Sequence, residues 1–526
     1  MKKFALLSVS DKTNIIDFAK KILLQNYEIL ATGGTAKLLK QNEVHCIEIS
    51  DYTGFPEIFE GRVKTLHPKI FAGILQRRNL PEDQKQAEAN GILPIDIVCV
   101  NLYPFEKVAK NPETTEEELI ENIDIGGPGL IRAAAKNHKF VSVLTAPEQY
   151  EKFLNELEGG SVSETTKKQL AVSAFSHTSQ YDTFISNTLE NRFQLDSTAF
   201  RLHLPKTKTL RYGENPHQQA ALYGSFFDYF EIMHGKELSY NNILDITAAV
   251  ELLEDLSPSL TLPKGKGILK PPFGGIGGLY SCVIVKHNNP SGAATALSIF
   301  EAYQKALQCD PLAAFGGIVA LNEIVDVALA SKLNELFLEV IIAPGFADDA
   351  LPILFKKKNR RILKQVKKIS EKGLAVKAIP GGVLVQDKDF LSDDFSNLKT
   401  VTKNSPGEKQ LEDLKFAWAV AKNAKSNAII FAKDKMTLGI GAGQVSRIDA
   451  VKVAVMKANE FGLPLENAVV ASDAFFPFAD NIEEIVKHGI TAVIQPGGSV
   501  RDDEVINAAN KYSLSMVFTG KRHFKH

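Results

Sequence analysis

Cysteine is scarce. Four occur in 526 residues: Cys46, Cys99, Cys282 and Cys309, widely spaced and mostly set in apolar runs. No C-x-x-C pair is present, so neither a disulfide framework nor a structural zinc site is expected, and small buried thiols in a reducing cytoplasm fit the pattern. An excess of charge is also lacking. Lys and Arg number 61 against 62 Asp and Glu, a formal net charge of −1. That balance argues against a broad nucleic-acid surface, because neutralising many phosphates needs a face rich in cations. No apolar run reaches the ~18 residues of a membrane-spanning helix, and M-K-K-F leads straight into the strand-like F-A-L-L-S-V rather than into a secretory leader. What remains is a globular composition, 44% hydrophobic and 23% charged. The chain is too long for one ordinary core, and about two to four domains are expected.

The stretch Val283 to Gly292, V-I-V-K-H-N-N-P-S-G, concentrates the chemistry. Cys282 to Val285 reads as a short buried strand ending in a cation, Lys286, and an imidazole, His287. Asn-Asn-Pro-Ser-Gly then predicts a turn, because the residue before proline avoids the helical region and glycine permits unusual φ. The next segment, A-A-T-A-L-S-I-F-E-A-Y-Q-K-A-L, has helical spacing, with Ser291 or Gly292 as its cap. Lys286 and His287 are thus expected at a strand's carboxyl end facing a helix start, the crevice where open α/β sheets bind ligands and where anions are favoured. Histidine is the ordinary base at neutral pH, and a lysine near other cations can donate a proton. A solvated strand end would carry the same pair, and the residues alone leave both readings open.

The first 200 residues alternate strand and helix at the spacing of a parallel α/β sheet: strands over Phe4–Val9, Tyr27–Ala31 and Val44–Ile49, helices over Asn14–Leu24 and Ala36–Gln41. Two loops fall at strand ends, one carrying Ser10 and Lys12, the other Thr32, Gly33, Gly34 and Thr35. Each combines hydroxyls, a tight backbone and a following helix N-terminus, which is how a phosphate monoester is held. Gly61-Arg62-Val63-Lys64-Thr65-Leu66-His67 adds donors directed at one place. A strand over Asp96–Asn101 leads into Asn101-Leu-Tyr103-Pro-Phe. Asp124-Ile-Gly-Gly-Pro-Gly precedes a helix over Leu130–Asn137 with Lys136 in its last turn; there the glycines allow close approach to a ligand and Asp124 can orient a proton or simply cap. A strand over Lys139–Thr145 and a long helix from about Ser163 to Glu190 follow.

In this order, S-V-S-D-K-T, T-G-G-T, G-R-V-K-T-L-H-P, N-L-Y-P-F, D-I-G-G-P-G-L-I-R-A-A-A-K-N-H and V-K-H-N-N-P-S-G closely resemble the bifunctional AICAR transformylase/IMP cyclohydrolase family of purine biosynthesis, from Lys3 essentially to the C-terminus. The resemblance implies an α/β chain. Its first part would be a methylglyoxal-synthase-like parallel-sheet domain with a helical linker (1–198) for cyclohydrolysis. Its second would be a transformylase of two cytidine-deaminase-like α/β subdomains (199–370 and 371–526). It implies formyl transfer from the co-substrate 10-formyltetrahydrofolate to AICAR, then dehydrative closure of FAICAR to IMP. A homodimer sharing the transformylase site between subunits is implied too, with no nucleic-acid or membrane partner. The H-x-E…P-C-x-x-C zinc signature of deaminases is absent, so no catalytic metal is expected.

Residue by residue, the resemblance implies that Arg211 and Tyr212 of R-Y-G-E-N-P-H-Q grip the nucleotide while His217 supports the site. Phe315 and Gly316 line the base pocket, Glu339 binds substrate amines, Asn427 holds the formyl or carboxamide oxygen, and Arg447 contacts the nucleotide. Phe475 and Asp480 belong to the folate-side loop, where Ala479 replaces a frequent arginine, and Arg522 reaches substrate phosphate. His287 is expected to take the amine's proton while Lys286 stabilises the oxyanion or protonates the leaving folate nitrogen. For cyclisation, Lys136, Tyr103 and Asp124 are the candidates for proton transfer, with Lys64 and Arg62 stabilising charge. The run Lys356–Lys372 reads as a solvated helix face, strands are expected over Gly382–Val385, Ala428–Lys433 and Thr437–Gly441, and the Pro- and Gly-rich stretch between Leu256 and Ser281 reads as a flexible surface insertion. Alternatives are a catalytically silent nucleotide-binding homologue and a methylglyoxal-synthase-like lyase, the latter not supported by the long C-terminal half.

Overall fold

The computed structural model describes residues 3–257, 279–369, 373–391, 395 and 397–526, and the chain divides into two units, Met1–Leu204 and Pro205–His526. Most of the stretch read as an insertion, residues 258–278, lies outside the described residues.

In the first unit β1 (Lys3–Ser8), β2 (Tyr27–Ala31), β3 (Ile47–Glu48), β4 (Ile95–Val100) and β5 (Ser142–Leu144) form a sheet in the order β3-β2-β1-β4-β5, parallel throughout. Runs such as Ala5-Leu6-Leu7 and Ile97-Val98-Cys99 are buried, as a parallel sheet covered on both faces requires. The strand order reverses between β1 and β4, where a crevice opens beyond the carboxyl ends. Three expectations shift. Gly33 and Gly34 are not loop residues but the first turn of the helix Gly33–Gln41, with Thr32 at its N-cap. The strand expected over Val44–Ile49 shrinks to Ile47–Glu48, because pairing with β2 is confined to Leu30–Ile47 and Ala31–Glu48 and a short helix starts at Ile49. The helix expected from Leu130 starts at Gly126 and runs to Lys136. The long helix Glu164–Arg192 packs Leu170, Ala171 and Ala174 into the same core.

The second unit opens with a hairpin, β6 (Lys206–Leu210) and β7 (Ala220–Tyr223). Its main sheet uses β8 (Phe230–His234), β9 (Tyr280–Lys286), β10 (Asn289–Ala296), β11 (Ile318–Leu321), β12 (Val340–Ala343) and β13 (Arg361–Gln365). A separate hairpin, β14 (Leu374–Ile379) and β15 (Gly382–Asp387), intervenes. Then come β16 (Lys399–Thr400), β17 (Ile429–Lys433), β18 (Met436–Gly441), β19 (Val469–Ser472), β20 (Ala492–Gln495) and β21 (Ser515–Phe518). The twelve strands run β16-β21-β20-β19-β17-β18-β10-β9-β11-β12-β13-β8. One pattern occurs twice: a hairpin (β9–β10, β17–β18), a strand antiparallel to its first member (β11, β19), two strands parallel to that one, and an antiparallel edge strand. The halves meet where β10 pairs antiparallel with β18. Side chains alternate between faces: Cys282 and Ile284 enter one apolar layer, Val283 and Val285 the other, which also holds the helices Tyr240–Leu256 and Glu408–Asn423.

The segment after Lys286 departs from expectation. The chain does not meet a helix start there; it reverses through a two-residue turn, His287 and Asn288 at φ 54° and 59°, and returns as β10. The helix begins only at Ile299, capped by Ser298. Small residues explain the difference: a Cβ on Gly292 would lie 2.0 Å from the Ala306 carbonyl oxygen, so G-A-A-T-A is the strand that lets this helix press against the sheet. Two further corrections concern the basic run and the start of the last third. Among the described residues the run from Lys356 to Ile369 is not a helix face, since Arg361–Gln365 is strand β13 with Ile362 and Leu363 fully buried. Gly382–Val385 is a strand, but one paired only with β14, outside the main sheet.

Gly292→Ala should therefore destabilise the protein by about 1–3 kcal/mol, the usual cost of overpacking, read as a lower denaturant midpoint. An unchanged midpoint would contradict the close approach of helix and strand.

Candidate active site

In the first unit the strand ends bring most of the expected donors together. Asn101, just after β4, accepts the N–H groups of Ser10 and Asp11 through Oδ1 at 2.5 and 2.8 Å and returns its amide to the Asp11 carbonyl at 3.2 Å. This bond crosses the point where the strand order reverses and fixes the Ser10 loop. Lys12 turns back onto it, donating to the Val9 carbonyl and to Thr35 Oγ1, while Thr32 donates to Ser8 Oγ at 2.8 Å. Burial, and secondarily the charge of Lys64, hold the Lys12 ammonium below the usual lysine range. Two cations close enough to oppose each other suit a dianion.

Lys64 donates to Tyr103 Oη at 2.8 Å and its charge bears on Asp124. Asp124 accepts the Gly127 N–H at 2.8 Å, and its own N–H is taken by Tyr181 Oη at 2.8 Å. Burial pushes the Asp124 carboxyl up, against the pull of the Gly127 N–H and of Lys64. Gly126 and Gly127 have no room for a side chain: a Cβ would lie 2.4 Å from buried Thr65 Oγ1 in one case and 2.5 Å from Asp124 Oδ2 in the other. A shallow cleft opens beside Lys64, lined by Thr32, Gly33, Glu48, Ser50 and Glu57 among others. Two expected residues stand differently. Arg62 is engaged by Glu121 through both oxygens. Lys136 is exposed in the last turn of the helix whose first residue is Gly126, so an 11-residue helix, about 15 Å of rise at 1.5 Å per residue, separates it from Asp124.

In the second unit, the first two turns of the helix Tyr240–Leu256 organise the surroundings of Lys286 and His287. Ser239 and Asn242 form its capping box. Asn241 donates to the Glu214 carbonyl at 3.3 Å, which ties down the loop following Arg211 and Tyr212. Arg211 lies over the Tyr212 ring at 5.6 Å, and His217 is exposed farther along. Asn242 donates to Glu339 Oε2 at 2.9 Å, where Arg361 Nη1 also donates at 3.4 Å. Asp245 accepts the Asn288 N–H at 2.7 Å. Lys286 Nζ donates to the Phe315 carbonyl at 2.8 Å, which joins the hairpin tip to the exposed Phe315 ring and to Gly316, whose φ of +74° suits glycine.

The other loop of the site centres on Asn427. Its amide donates to the carbonyls of Gln444 and Val445 at 2.9 and 3.1 Å, and its Oδ1 accepts from Arg447 Nη2 at 2.7 Å. Arg447 also donates to Ser472 Oγ at 2.8 Å and pairs with the fully buried Asp473. The expected donor role of Asn427 toward a formyl oxygen is not what this arrangement offers, since both amide hydrogens are spent. Arg447 is likewise 7% exposed and committed within the chain, behind Asn427 rather than open to a nucleotide. The C-terminal segment runs alongside: His523 N–H donates to the Asp473 carbonyl and Lys525 N–H to Ser426 Oγ, with exposed Arg522 over the Phe524 ring at 4.6 Å. Phe475 is half-buried just past Asp473, and Asp480 begins the helix Asp480–Val486. The two loops are linked: Asn289 Oδ1 accepts the Lys425 N–H at 2.9 Å.

Residues 14–129 match the MGS-like domain, and residues 134–457 match the AICARFT/IMPCHase bienzyme. The chain belongs to the AICARFT/IMPCHase bienzyme family. It is 48% identical to the bifunctional purine biosynthesis protein PurH of Persephonella marina and 47% identical to that of Bacillus cereus, each alignment covering the whole of both chains. A solved structure, "Crystal structure of ForH", aligns at 34% identity over 36% of this chain and all of that one, with a TM-score of 0.33. Membership makes the chain a bifunctional enzyme of purine biosynthesis with an MGS-like N-terminal domain.

Residues that the sequence reading did not single out are Asn241, Asn242, Asp245 and Tyr181. The capping pattern Ser239-x-x-Asn242 was the signal available for the first three; nothing local marked Tyr181.

Proposed function

We propose that the two activities divide between residues 1–198, which close FAICAR to IMP, and residues 199–370 with 371–526, which transfer the formyl group of 10-formyltetrahydrofolate to AICAR. Two separate groupings in two separate units carry this reading: Lys64–Tyr103–Asp124 beside the Lys12 and Thr32–Thr35 cradle in one, and Lys286–His287 linked to the Asn427 loop in the other.

Ring closure is intramolecular, so positioning dominates. Ser10, Lys12, Thr32, Gly33, Gly34 and Thr35 anchor the phosphate at the start of the helix Gly33–Gln41, with Thr65 and Asn101 shaping the cradle. Lys64 and Tyr103 share a proton-bearing contact at the developing oxyanion, and Asp124 moves the proton of the attacking carboxamide nitrogen.

In formyl transfer the nucleophile is poor, because the amine's lone pair is delocalised into a ring bearing a carboxamide. His287 accepts the amine's proton, and Lys286, steadied by the Phe315 carbonyl, meets the oxyanion or the leaving nitrogen. Phe315 and Gly316 bound the base, Arg211, Tyr212 and Arg522 hold the nucleotide, and Glu339 accepts substrate N–H groups. Asn427 takes an acceptor role: one Oδ1 lone pair is used by Arg447, and the second can take a carboxamide N–H. Phe475 and Asp480 face the folate. The four buried, unpaired cysteines are compatible with a reducing cytoplasm. A homodimer is supported by the β14–β15 hairpin, where Leu374, Val376, Val383 and Leu384 are exposed; a lone two-stranded hairpin with apolar side chains is stabilised by cover. Sedimentation of the full chain should give a dimer, with Leu384→Lys shifted toward monomer; a monomeric wild type would overturn that assignment.

His287→Ala should lower tetrahydrofolate release about 10²- to 10⁴-fold, the usual worth of a general base, and leave cyclisation of added FAICAR at the wild-type rate. Lys64→Ala should do the reverse; loss of both steps in either variant would contradict the division. A lysine held below its ordinary range loses its charge sooner as pH rises. The kcat/KM for FAICAR should therefore decline with rising pH before the ordinary lysine value of about 10.4, and Lys12→Arg should move the decline upward. A wild-type decline centred at or above that value would exclude Lys12 as the phosphate cation.

A further inference from the structure

The two halves of the second unit provide an internal comparison. Each contains a helix, Tyr240–Leu256 or Glu408–Asn423, followed by a hairpin with a two-residue left-handed turn. In one the turn is His287–Asn288, at φ 54° and 59°; in the other it is Asp434–Lys435, both at φ 52°. Each turn is held by an aspartate at the sixth position of its helix. Asp245 accepts the Asn288 N–H at 2.7 Å, and Asp413 accepts those of Asp434 and Lys435 at 2.9 and 2.7 Å. What both halves share builds the turn.

The halves differ at the first residue of the returning strand, Asn289 in β10 and Met436 in β18. Met436 is a buried apolar side chain in the seam, paired with Ala294. Asn289 instead accepts the Lys425 N–H at 2.9 Å, across 136 residues of sequence. The second turn forms without an asparagine there, so Asn289 is not needed to make a turn of this kind. Its bond has another consequence. The other seam bonds between β10 and β18 join Ala293 with Thr437 and Thr295 with Lys435, toward the end of β10 remote from His287. Asn289 closes the seam at the opposite end, two residues after His287 in the chain and joined to the residue that precedes Ser426 and Asn427. The Asn427 loop is held from its other side by Ser426 Oγ on Asp473 at 2.5 Å and by Ser426 N–H on the Lys525 carbonyl at 2.9 Å.

We propose that Asn289 is a positioning residue for formyl transfer: through the Lys425 N–H it sets the spacing between the Lys286–His287 tip and Asn427, so that base, cation and substrate anchor meet one substrate. The assignment rests on the functional reading above. An error of about 1 Å in such a spacing is able to cost on the order of 10²-fold in rate.

The test is steady-state kinetics on the full chain with AICAR and 10-formyltetrahydrofolate, for wild type, Asn289→Ala, Asn289→Asp and Asp413→Asn. Asn289→Ala should lose about 10- to 10²-fold in kcat for tetrahydrofolate release, with KM for both substrates close to wild type and cyclisation of added FAICAR unchanged. Asn289→Asp, which keeps an acceptor for the Lys425 N–H, should recover most of that loss. Asp413→Asn should lower the thermal midpoint without this fall in kcat. The proposal is overturned if Asn289→Ala keeps wild-type kcat, if its loss is wholly in KM, or if Asp413→Asn at an equal drop in midpoint loses kcat equally. A wild-type chain that releases no tetrahydrofolate would overturn the functional reading itself and this inference with it.

Discussion

The backbone N–H groups at the tip of a tight hairpin have no strand partner, and in the second unit burying them requires a carboxylate. Asp245 supplies it at His287–Asn288 and Asp413 at Asp434–Lys435. Burial pushes both carboxyls up while the N–H groups they accept pull them back, the balance expected where desolvation is offset by hydrogen bonds to the charged form. Meeting this need fixes where the helix Tyr240–Leu256 begins. Once Asp245 lies under the tip, Asn241 and Asn242, one turn earlier, fall beside the Arg211 loop and Glu339. The proposed nucleotide grip, amine acceptor and base are thus gathered by one helix start.

The first unit solves a different problem. A parallel sheet leaves its loops at one end, and the reversal of strand order between β1 and β4 opens a crevice there. Asn101 bonds across that opening to the Ser10 loop, so the same residue that keeps the crevice in shape borders the phosphate cradle. Lys12 and Lys64 bring like charges together, a cost that a bound dianion relieves. The glycines at 126 and 127 let Thr65 and Asp124 approach the helix start closely.

Much of this was legible in the sequence where side chains alone decide structure. Apolar runs located β1, β2, β4, β9 and β17 to within a residue or two, and the loop chemistry around Lys64, Tyr103 and Asp124 came together as expected. β10 was misread because Gly-Ala-Ala-Thr-Ala satisfies a helical period as readily as a strand, and only its packing under the helix Ile299–Cys309 decides between them. Lys136, expected beside Asp124 from the resemblance, stands at the far end of the helix that begins at Gly126. Asn427 and Arg447 were expected to face a ligand, yet Asn427 is held by Arg447 and nearby backbone, and Arg447 by Ser472 and Asp473. Asn289 was not among the candidate site residues because the N–H it binds, that of Lys425, lies 136 positions away, and no local spacing encodes that.

On the proposed division, two independent sites, one per unit, act in succession on a released intermediate. The most direct measurement mixes His287→Ala protein with Lys64→Ala protein and follows IMP formation from AICAR and 10-formyltetrahydrofolate by chromatography. Neither variant alone should form IMP, and the mixture should, with FAICAR passing from one protein to the other. A mixture that stays silent, while each variant retains its own half-reaction, would contradict the account.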